Sequence, residues 1–206
     1  MSAHYAIELE LMGRSSGPVA GVDEVGRGPL AGPVCVAAVI LDPDNLPMGA
    51  DDSKKLSAIR REALHDEICA RALAISIVLA PAAEIDLVNI RRATLNAMAR
   101  AVRCLSVAPR FVLVDGCDLP DLPCPGRALI NGDATSLSIA AASIVAKVTR
   151  DRLMARLDLV HPGYGFSRHS GYATEIHRAA LQKIGPCREH RRSYAPVRML
   201  IEAEPI

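Results

Sequence analysis

The chain has 206 residues, enough for one well-filled core, and no apolar run approaches the ~18 residues needed to cross a bilayer, which excludes a membrane-spanning helix. Half the residues are hydrophobic but only 3% are aromatic, with no Trp and two Phe, so the core must be built from Ala, Val, Leu and Ile. A formal net charge of +1 neither points to a polyanionic partner nor excludes one, because a basic face can be balanced by acids elsewhere.

Residues 1–18 form an N-terminal segment whose apolar stretch is interrupted by Glu8 and Glu10, unlike a secretory signal. Val19-Ala20-Gly21-Val22 reads as a strand that runs into Asp23-Glu24 and then breaks at Gly26-Arg27-Gly28. Strand side chains alternate in direction, so the two acids cannot both point the same way along a regular strand, and one must sit where the strand ends. Adjacent carboxylates repel unless a cation lies beside them; a metal site is the pointed reading of this pair and a solvated strand end the plain one. Gly26 and Gly28 strip side chains from the neighbouring backbone and allow a ligand to approach it closely.

Residues 34–41 are apolar on both faces, as in a buried central strand, and a short Gly/Pro connection suits pairing with the first strand. After a loop over 42–52, a helix is predicted over 58–72 with Ile59, Leu64 and Ile68 facing the core. Residues 74–80 form a third strand, stopped by Pro81. Leu87, Ile90, Thr94, Met98, Val102 and Leu105 recur at helical spacing and predict one long helix over 83–105. A fourth strand over 111–114 ends at Asp115-Gly116, and a short fifth over 128–130 leads into Asn131-Gly132-Asp133. From Ser136 the pattern is helical, with Ile139, Ala142, Ala146, Leu153 and Leu157 on one face and an alanine-rich start that suits close packing on a sheet. Residues 161–170 read as loop, and 174–184 as a helix ended by Gly185-Pro186. This order gives an α/β fold: a mixed five-stranded sheet flanked by helices, with a C-terminal helical extension over about 161–206, all in a single domain. The six cysteines include no C-x-x-C pair, so buried free thiols in a reducing cytosol are expected, not a zinc site or a disulfide framework.

Asp23, Glu24, Asp115 and Asp133 each lie at or just beyond a predicted strand end, beside a glycine or one residue from one. If those strands share a sheet, the four acids converge on one edge of it. Hard oxygen ligands of this kind suit Mg²⁺ or Mn²⁺, and two such ions ~3.5–4 Å apart can drive in-line attack of water on a phosphodiester. Taken singly, Asp115 is also a turn residue and Asp133 a helix cap or loop acid; those plainer readings must coincide to explain the set.

The run from Asp23 to Val34, DEVGRGPLAGPV, resembles the signature of ribonuclease HII, the bacterial type 2 ribonuclease H family. So do Asp52-Ser53-Lys54-Lys55-Leu56, Val114-Asp115-Gly116, SIAAASIVAKVTRD from Ser138 to Asp151, and His190-Arg191-Arg192-Ser193-Tyr194-Ala195-Pro196. The similarity runs over roughly 19–197, and the Gly-Arg-Gly triplet with no long N-terminal domain favours type 2 over type 3. The resemblance implies a ribonuclease H-like fold. It also implies a cytoplasmic, monomeric endoribonuclease that hydrolyses the RNA strand of RNA/DNA hybrids and cuts at single ribonucleotides embedded in duplex DNA. The mechanism would use two ions, and the setting would be DNA replication and ribonucleotide excision repair.

By the same resemblance, Asp23, Glu24, Asp115 and Asp133 are the catalytic metal ligands for Mg²⁺ or Mn²⁺. Gly26, Arg27 and Gly28 read the 2′-OH, the group that separates RNA from DNA at a site. Tyr164 stacks on the sugar of the adjoining deoxynucleotide. Lys54, Lys55, Lys147, Arg150, Arg191 and Arg192 are candidates for phosphate contact, which supplies affinity and register but little sequence information. Arg152 and Arg156 read as a solvated helix face and His169 as a loop histidine. The family pattern has lysine where this chain has Asn131, Thr135 and Ser170, so a shallower salt dependence of binding is expected than in a lysine-bearing relative. No replication or repair partner is specified for the tail over 202–206. The alternative is a catalytically weak nucleic-acid binding module of the same fold, against which stand all four acids; a phosphatase is disfavoured by the lack of an early Asp-x-Asp motif or P-loop.

Overall fold

The computed structural model describes residues 3–15, 17–47, 49 and 56–203. β1 (Val19–Val25) and β2 (Val34–Ile40) pair antiparallel, from Ala20 opposite Ile40 to Val25 opposite Cys35. All seven residues of β2 are buried, as its two apolar faces require. Each large aliphatic side chain withdrawn from water this way contributes about 1.5–3 kcal/mol before the entropy of ordering is counted. β4 (Phe111–Asp115) runs parallel to β1 with Val22 opposite Val114, and β5 (Gly126–Leu129) runs parallel to β4 with Leu129 opposite Asp115. With β3 (Ala74–Ala80) beyond β2, the sheet order is β3-β2-β1-β4-β5, the mixed five-stranded α/β sheet expected. Because β1, β4 and β5 are parallel, their C-terminal ends share one edge of the sheet.

The helices are α1 (Ala6–Ser15), α2 (Ala58–Arg71), α3 (Ala82–Val88), α4 (Ile90–Arg103), α5 (Leu137–Val160), α6 (Phe166–His169), α7 (Glu175–Ile184) and α8 (Ala195–Ala203). The start of α5 lies directly on β1: a Cβ at Gly21 would stand 2.2 Å from the Ser138 carbonyl carbon, so only glycine permits this approach. Ala140, Ala141 and Ala142 are buried in the same contact layer. α1 secures the other side of that helix start, where the buried Glu8 carboxylate accepts hydrogen bonds from Ser136 Oγ (2.6 Å) and the Ser138 N–H (2.8 Å). A carboxylate at a helix N-terminus satisfies an otherwise orphaned donor and complements the helix dipole.

The chain forms two compact units. The first comprises Met1–Val25, Cys35–Val78 and Leu95–Val148, with a core that includes Val39, Leu64, Ile68, Ile144 and Val145. The second comprises Gly26–Val34, Leu79–Thr94 and Thr149–Ile206, built on Met154, Tyr164 and Phe166 in one cluster and Leu30, Leu181 and Val197 in another.

Several elements depart from the sequence reading. The predicted helix over 83–105 is two helices, because Asn89 takes φ 70° and ψ 162° and its side-chain oxygen accepts from the Arg92 N–H at 3.0 Å, capping a new helix. Ile59 is 85% exposed, and α2 buries Leu64, His65 and Ile68 instead. β5 occupies Gly126–Leu129, two residues earlier than apolarity suggests, since its ladder with β4 sets its ends and leaves Ile130 exposed. Towards the end of α5 it is Met154 that is buried, with Leu153 and Leu157 only half-buried. The supposed loop over 161–170 contains α6, whose first N–H is taken by Asp158 Oδ1 at 2.8 Å. α1 lies in a segment where no helix was predicted, and α8 lies in the C-terminal helical extension beyond the helix predicted over 174–184. All six thiols are free, but only Cys35 is buried; Cys69, Cys104 and Cys117 lie on solvent-facing positions. No described helix is long and apolar enough to cross a membrane.

Candidate active site

In the first unit, three parallel strands deliver the four acids to one edge. Asp23 and Glu24 are the fifth and sixth residues of β1, which keeps its ladder to Val25, so the pair sits within the strand's last turn of pleat and not beyond it. Asp115 is the last residue of β4, and the β1–β4 register, with Val22 opposite Val114, puts Asp23 level with it. Asp133 lies in a single 3-10 turn (Gly132–Ala134) that follows β5, entered through Asn131 in the left-handed conformation at φ 56°. The turn is tied to β4 where the Gly132 N–H donates to Asp115 Oδ1 at 2.7 Å.

Asp23 and Asp133 are buried, and Glu24 and Asp115 are half-buried. Burial raises the Asp23 pKa well above the ordinary carboxylate value, and the negative charges of Glu24 and then Asp115 push it further the same way. Two donors oppose the shift and orient the carboxylate: the Ser143 hydroxyl on α5 and the Glu24 N–H, the latter 2.6 Å from Asp23 Oδ1. Asp23, Glu24 and Asp115 are therefore electrostatic neighbours in a site with more negative charge than it comfortably holds. The donors are all hard oxygens, which fits a divalent Mg²⁺ or Mn²⁺ and not a soft metal. Among the described residues no three His, Cys, Asp or Glu side chains form a closed ligand cluster, so the metal reading rests on donor chemistry and on the strained charge state of Asp23.

In the second unit, Gly26-Arg27-Gly28 continues directly from β1. Gly26 has φ +94°, and a Cβ there would stand 2.1 Å from Arg150 Nε, so the fold itself requires this glycine. Gly28 differs. It is exposed, and a Cβ there would make only an ordinary 3.6 Å contact with Tyr172 Cε1, so folding does not explain its lack of a side chain. Arg191 holds the triplet from behind, donating to the carbonyls of Gly26 (2.5 Å), Arg27 (2.7 Å) and Gly32 (2.9 Å), while Tyr194 Oη also donates to Arg27 O (2.6 Å). In a trans peptide N–H and C=O point in opposite directions, so the N–H groups of Arg27 and Gly28 face away from Arg191.

Two of the six basic candidates are corrected by these contacts. Arg150 and Arg191 are completely buried, and their guanidinium donors are committed to backbone carbonyls, Arg150 to those of Pro33 (3.0 Å), Ser170 (3.0 Å) and Ala31 (3.3 Å). They splint the loop over 26–33 and offer nothing to a phosphate. Arg27 and Arg192 are exposed and Lys147 is half-buried; Lys54 and Lys55 lie outside the described residues. Arg152 and Arg156 are exposed, as expected of a solvated face. His169 is occupied at both ring nitrogens by backbone groups, Tyr164 O at 2.9 Å and the Gly171 N–H at 3.2 Å, which suits the plain histidine reading.

Tyr164 is also corrected. It is 6% exposed, its hydroxyl donates to Gly185 O at 2.7 Å, and its ring stacks on Phe166 at 5.1 Å, so it is a core side chain of the second unit. The aromatic beside the glycine triplet is Tyr172, 46% exposed and in contact range of Gly28. Sequence reasoning passed over it, along with Ser143 and the carbonyl-binding role of Arg191. The only local signal for Tyr172 was its place in His169-Ser170-Gly171-Tyr172, a turn with an aromatic at its end.

A family model described as Ribonuclease HII matches residues 20–197. Ribonuclease HII of Azorhizobium caulinodans is 60% identical over 200 residues, covering 92% of this chain and 77% of its own. Among solved structures, the ribonuclease H2 of Pyrococcus horikoshii superposes with a TM-score of 0.78 at 27% identity, covering 90% of this chain and 97% of that one. Bst-RNase HIII, solved in complex with Mn²⁺, shares the fold at 19% identity with a TM-score of 0.71, covering 90% and 69%. The chain belongs to the ribonuclease HII family, and its activity is that of a ribonuclease H, a nuclease acting on RNA/DNA hybrids.

Proposed function

We propose that the chain hydrolyses the phosphodiester next to a ribonucleotide, including a single ribonucleotide embedded in duplex DNA, with Asp23, Glu24, Asp115 and Asp133 holding a pair of Mg²⁺ or Mn²⁺ ions. When bound, such ions supply an acidified water and charge compensation at the leaving oxygen. The chain's own groups do the rest. The Ser143 hydroxyl and the Glu24 N–H fix the Asp23 carboxylate, and the Gly132 N–H fixes that of Asp115. The outward N–H groups of Arg27 and Gly28 are donors for a ribose 2′-oxygen, and the bare Gly28 backbone gives that sugar room. Tyr172, in place of Tyr164, is the ring on which the next deoxyribose stacks. Arg27, Arg192 and Lys147 remain as phosphate contacts.

The observation that carries this reading is the placement of Asp23, a buried acid beside the carboxylates of Glu24 and Asp115, with the neutral Ser143 hydroxyl and Glu24 N–H as its donors among the described residues. A cation resolves that conflict, and a solvated strand end would not create it. The test uses a duplex with one ribonucleotide beside its all-DNA twin and a long RNA/DNA hybrid. Cleavage of the first and third, confined to the ribonucleotide-bearing strand, is expected. Cleavage of the hybrid alone would remove the single-ribonucleotide claim.

A further inference from the structure

His177 and His190 are fully buried in the second unit and take no part in the reaction just described. Their hydrogen bonds fix which nitrogens carry protons. The Cys187 N–H donates to His190 Nδ1 at 3.0 Å, so that nitrogen keeps its lone pair and the ring proton sits on Nε2. His190 Nε2 lies 3.0 Å from His177 Nε2 and donates to it. The His177 proton is then on Nδ1, from which it donates to the Tyr172 carbonyl at 2.9 Å. This chain of donors and acceptors closes only when both rings are neutral, since an added proton sets two N–H groups against each other. Burial lowers the pKa of both rings, that of His190 to about 4, in keeping with neutral rings.

The surroundings reinforce the arrangement. His169 stacks on His177 at 4.5 Å with a 15° tilt, and Phe166 packs edge-on against His177 at 5.5 Å. The Gly171 N–H donates to His169, and Gly171 O accepts from the Leu30 N–H at 2.8 Å, so the backbone leading into Tyr172 is held on both sides. At Tyr172 itself the N–H donates to His169 O at 2.9 Å, and the carbonyl is shared by His177 Nδ1 and the Thr174 N–H (2.8 Å).

We infer that His177 and His190 are positioning residues, a neutral two-imidazole relay that holds the Tyr172 backbone and so places its ring beside Gly28 for substrate binding. The inference rests on the reading of Tyr172 as the sugar-stacking ring. Long-range ¹H–¹⁵N imidazole spectra of the full chain at neutral pH test the relay without reference to activity. The Nε2–H tautomer at His190 and the Nδ1–H tautomer at His177 are expected, and the opposite tautomer at His177 overturns the proposal.

Steady-state kinetics on the single-ribonucleotide duplex then test its purpose. Asn at 177 can keep an amide donor at the Nδ1 position, whereas Gln reaches toward His190 and abandons the Tyr172 carbonyl. His177→Gln is expected to raise KM about fivefold to tenfold, the scale of one lost hydrogen bond, with kcat within about twofold, and His177→Asn to recover most of the KM. A mere packing role would lower the melting midpoint of both variants and give them the same KM. Tyr172→Ala separates the two layers. A raised KM there, with none in His177→Gln, refutes the relay alone; an unchanged KM in Tyr172→Ala refutes the stacking role and with it the relay's purpose.

Discussion

Replacing Arg191 with Met removes the charged donor set from the carbonyls of Gly26, Arg27 and Gly32 while leaving a side chain of similar length and apolar character. Of the three carbonyls, Arg27 O keeps a second donor, Tyr194 Oη. Breaking a buried partnership of this kind costs about 3–5 kcal/mol. Removing the guanidinium also relieves its own burial, which already lowers its pKa, so the lower end of that range applies, about 3 kcal/mol. For a chain of this size the melting midpoint should fall by about 6–12 °C. Hybrid affinity measured between about 50 and 200 mM salt should weaken, with its slope against log salt unchanged. The sequence reading of Arg191 as a phosphate contact makes the reverse forecast: an unchanged midpoint and a slope shallower by about 0.9. That second pattern would refute the splint.

Thermal melts of wild type and Asp23→Asn with and without Mg²⁺ or Mn²⁺ should differ in the size of the metal response. The wild type gains stability with metal by mass action, whereas the variant starts no lower without metal, because its repulsion is gone, and gains less from adding it; an equal metal response in both would contradict the site. Gly28→Ala should change stability by no more than about 0.5 kcal/mol, as its Cβ meets only ordinary contact, yet lower kcat/KM on the single-ribonucleotide duplex about tenfold; unchanged kinetics would remove Gly28 from recognition. His190 is held at about 4 against 6.5 when unfolded, so the unfolded chain takes up a proton that the fold refuses. That contribution is fully present above pH 6.5 and is lost as pH falls toward 4, in total about 3 kcal/mol. Denaturant midpoints from pH 7.5 to 4.5 should fall less steeply in His190→Gln, and parallel slopes would contradict the assignment.

The strands and their acids were legible because short-range signals carry them. Continuous apolar runs mark β1 and β2, and a carboxylate beside a glycine marks the ends at Asp115 and Asp133. Parallel pairing of β1, β4 and β5 then does what no local signal can, bringing those ends to one edge. The break at Asn89 was hidden because apolar spacing continues across it, while the backbone bends on a single amide cap. Arg150, Arg191 and Tyr164 were misread for a common reason. Charge and aromaticity suggest contact with nucleic acid, but burial decides whether the group is available, and burial depends on carbonyls 20 to 165 residues away in the chain for the two arginines. Glu8, which secures the start of α5 across 128 residues, looked like nothing more than an interruption of an apolar stretch.

The four-carboxylate site is tested most directly by single-turnover cleavage of one duplex, with a lone ribonucleotide in one strand, by wild type and Asp133→Asn across a titration of Mg²⁺ or Mn²⁺. The expected result is cleavage that requires the metal, occurs only at the ribonucleotide, and falls by about a thousandfold or more in the variant, the scale of losing a principal electrostatic contributor to catalysis. Metal-independent cleavage, or a variant as active as the wild type, would contradict the assignment of Asp23, Glu24, Asp115 and Asp133 as the catalytic set.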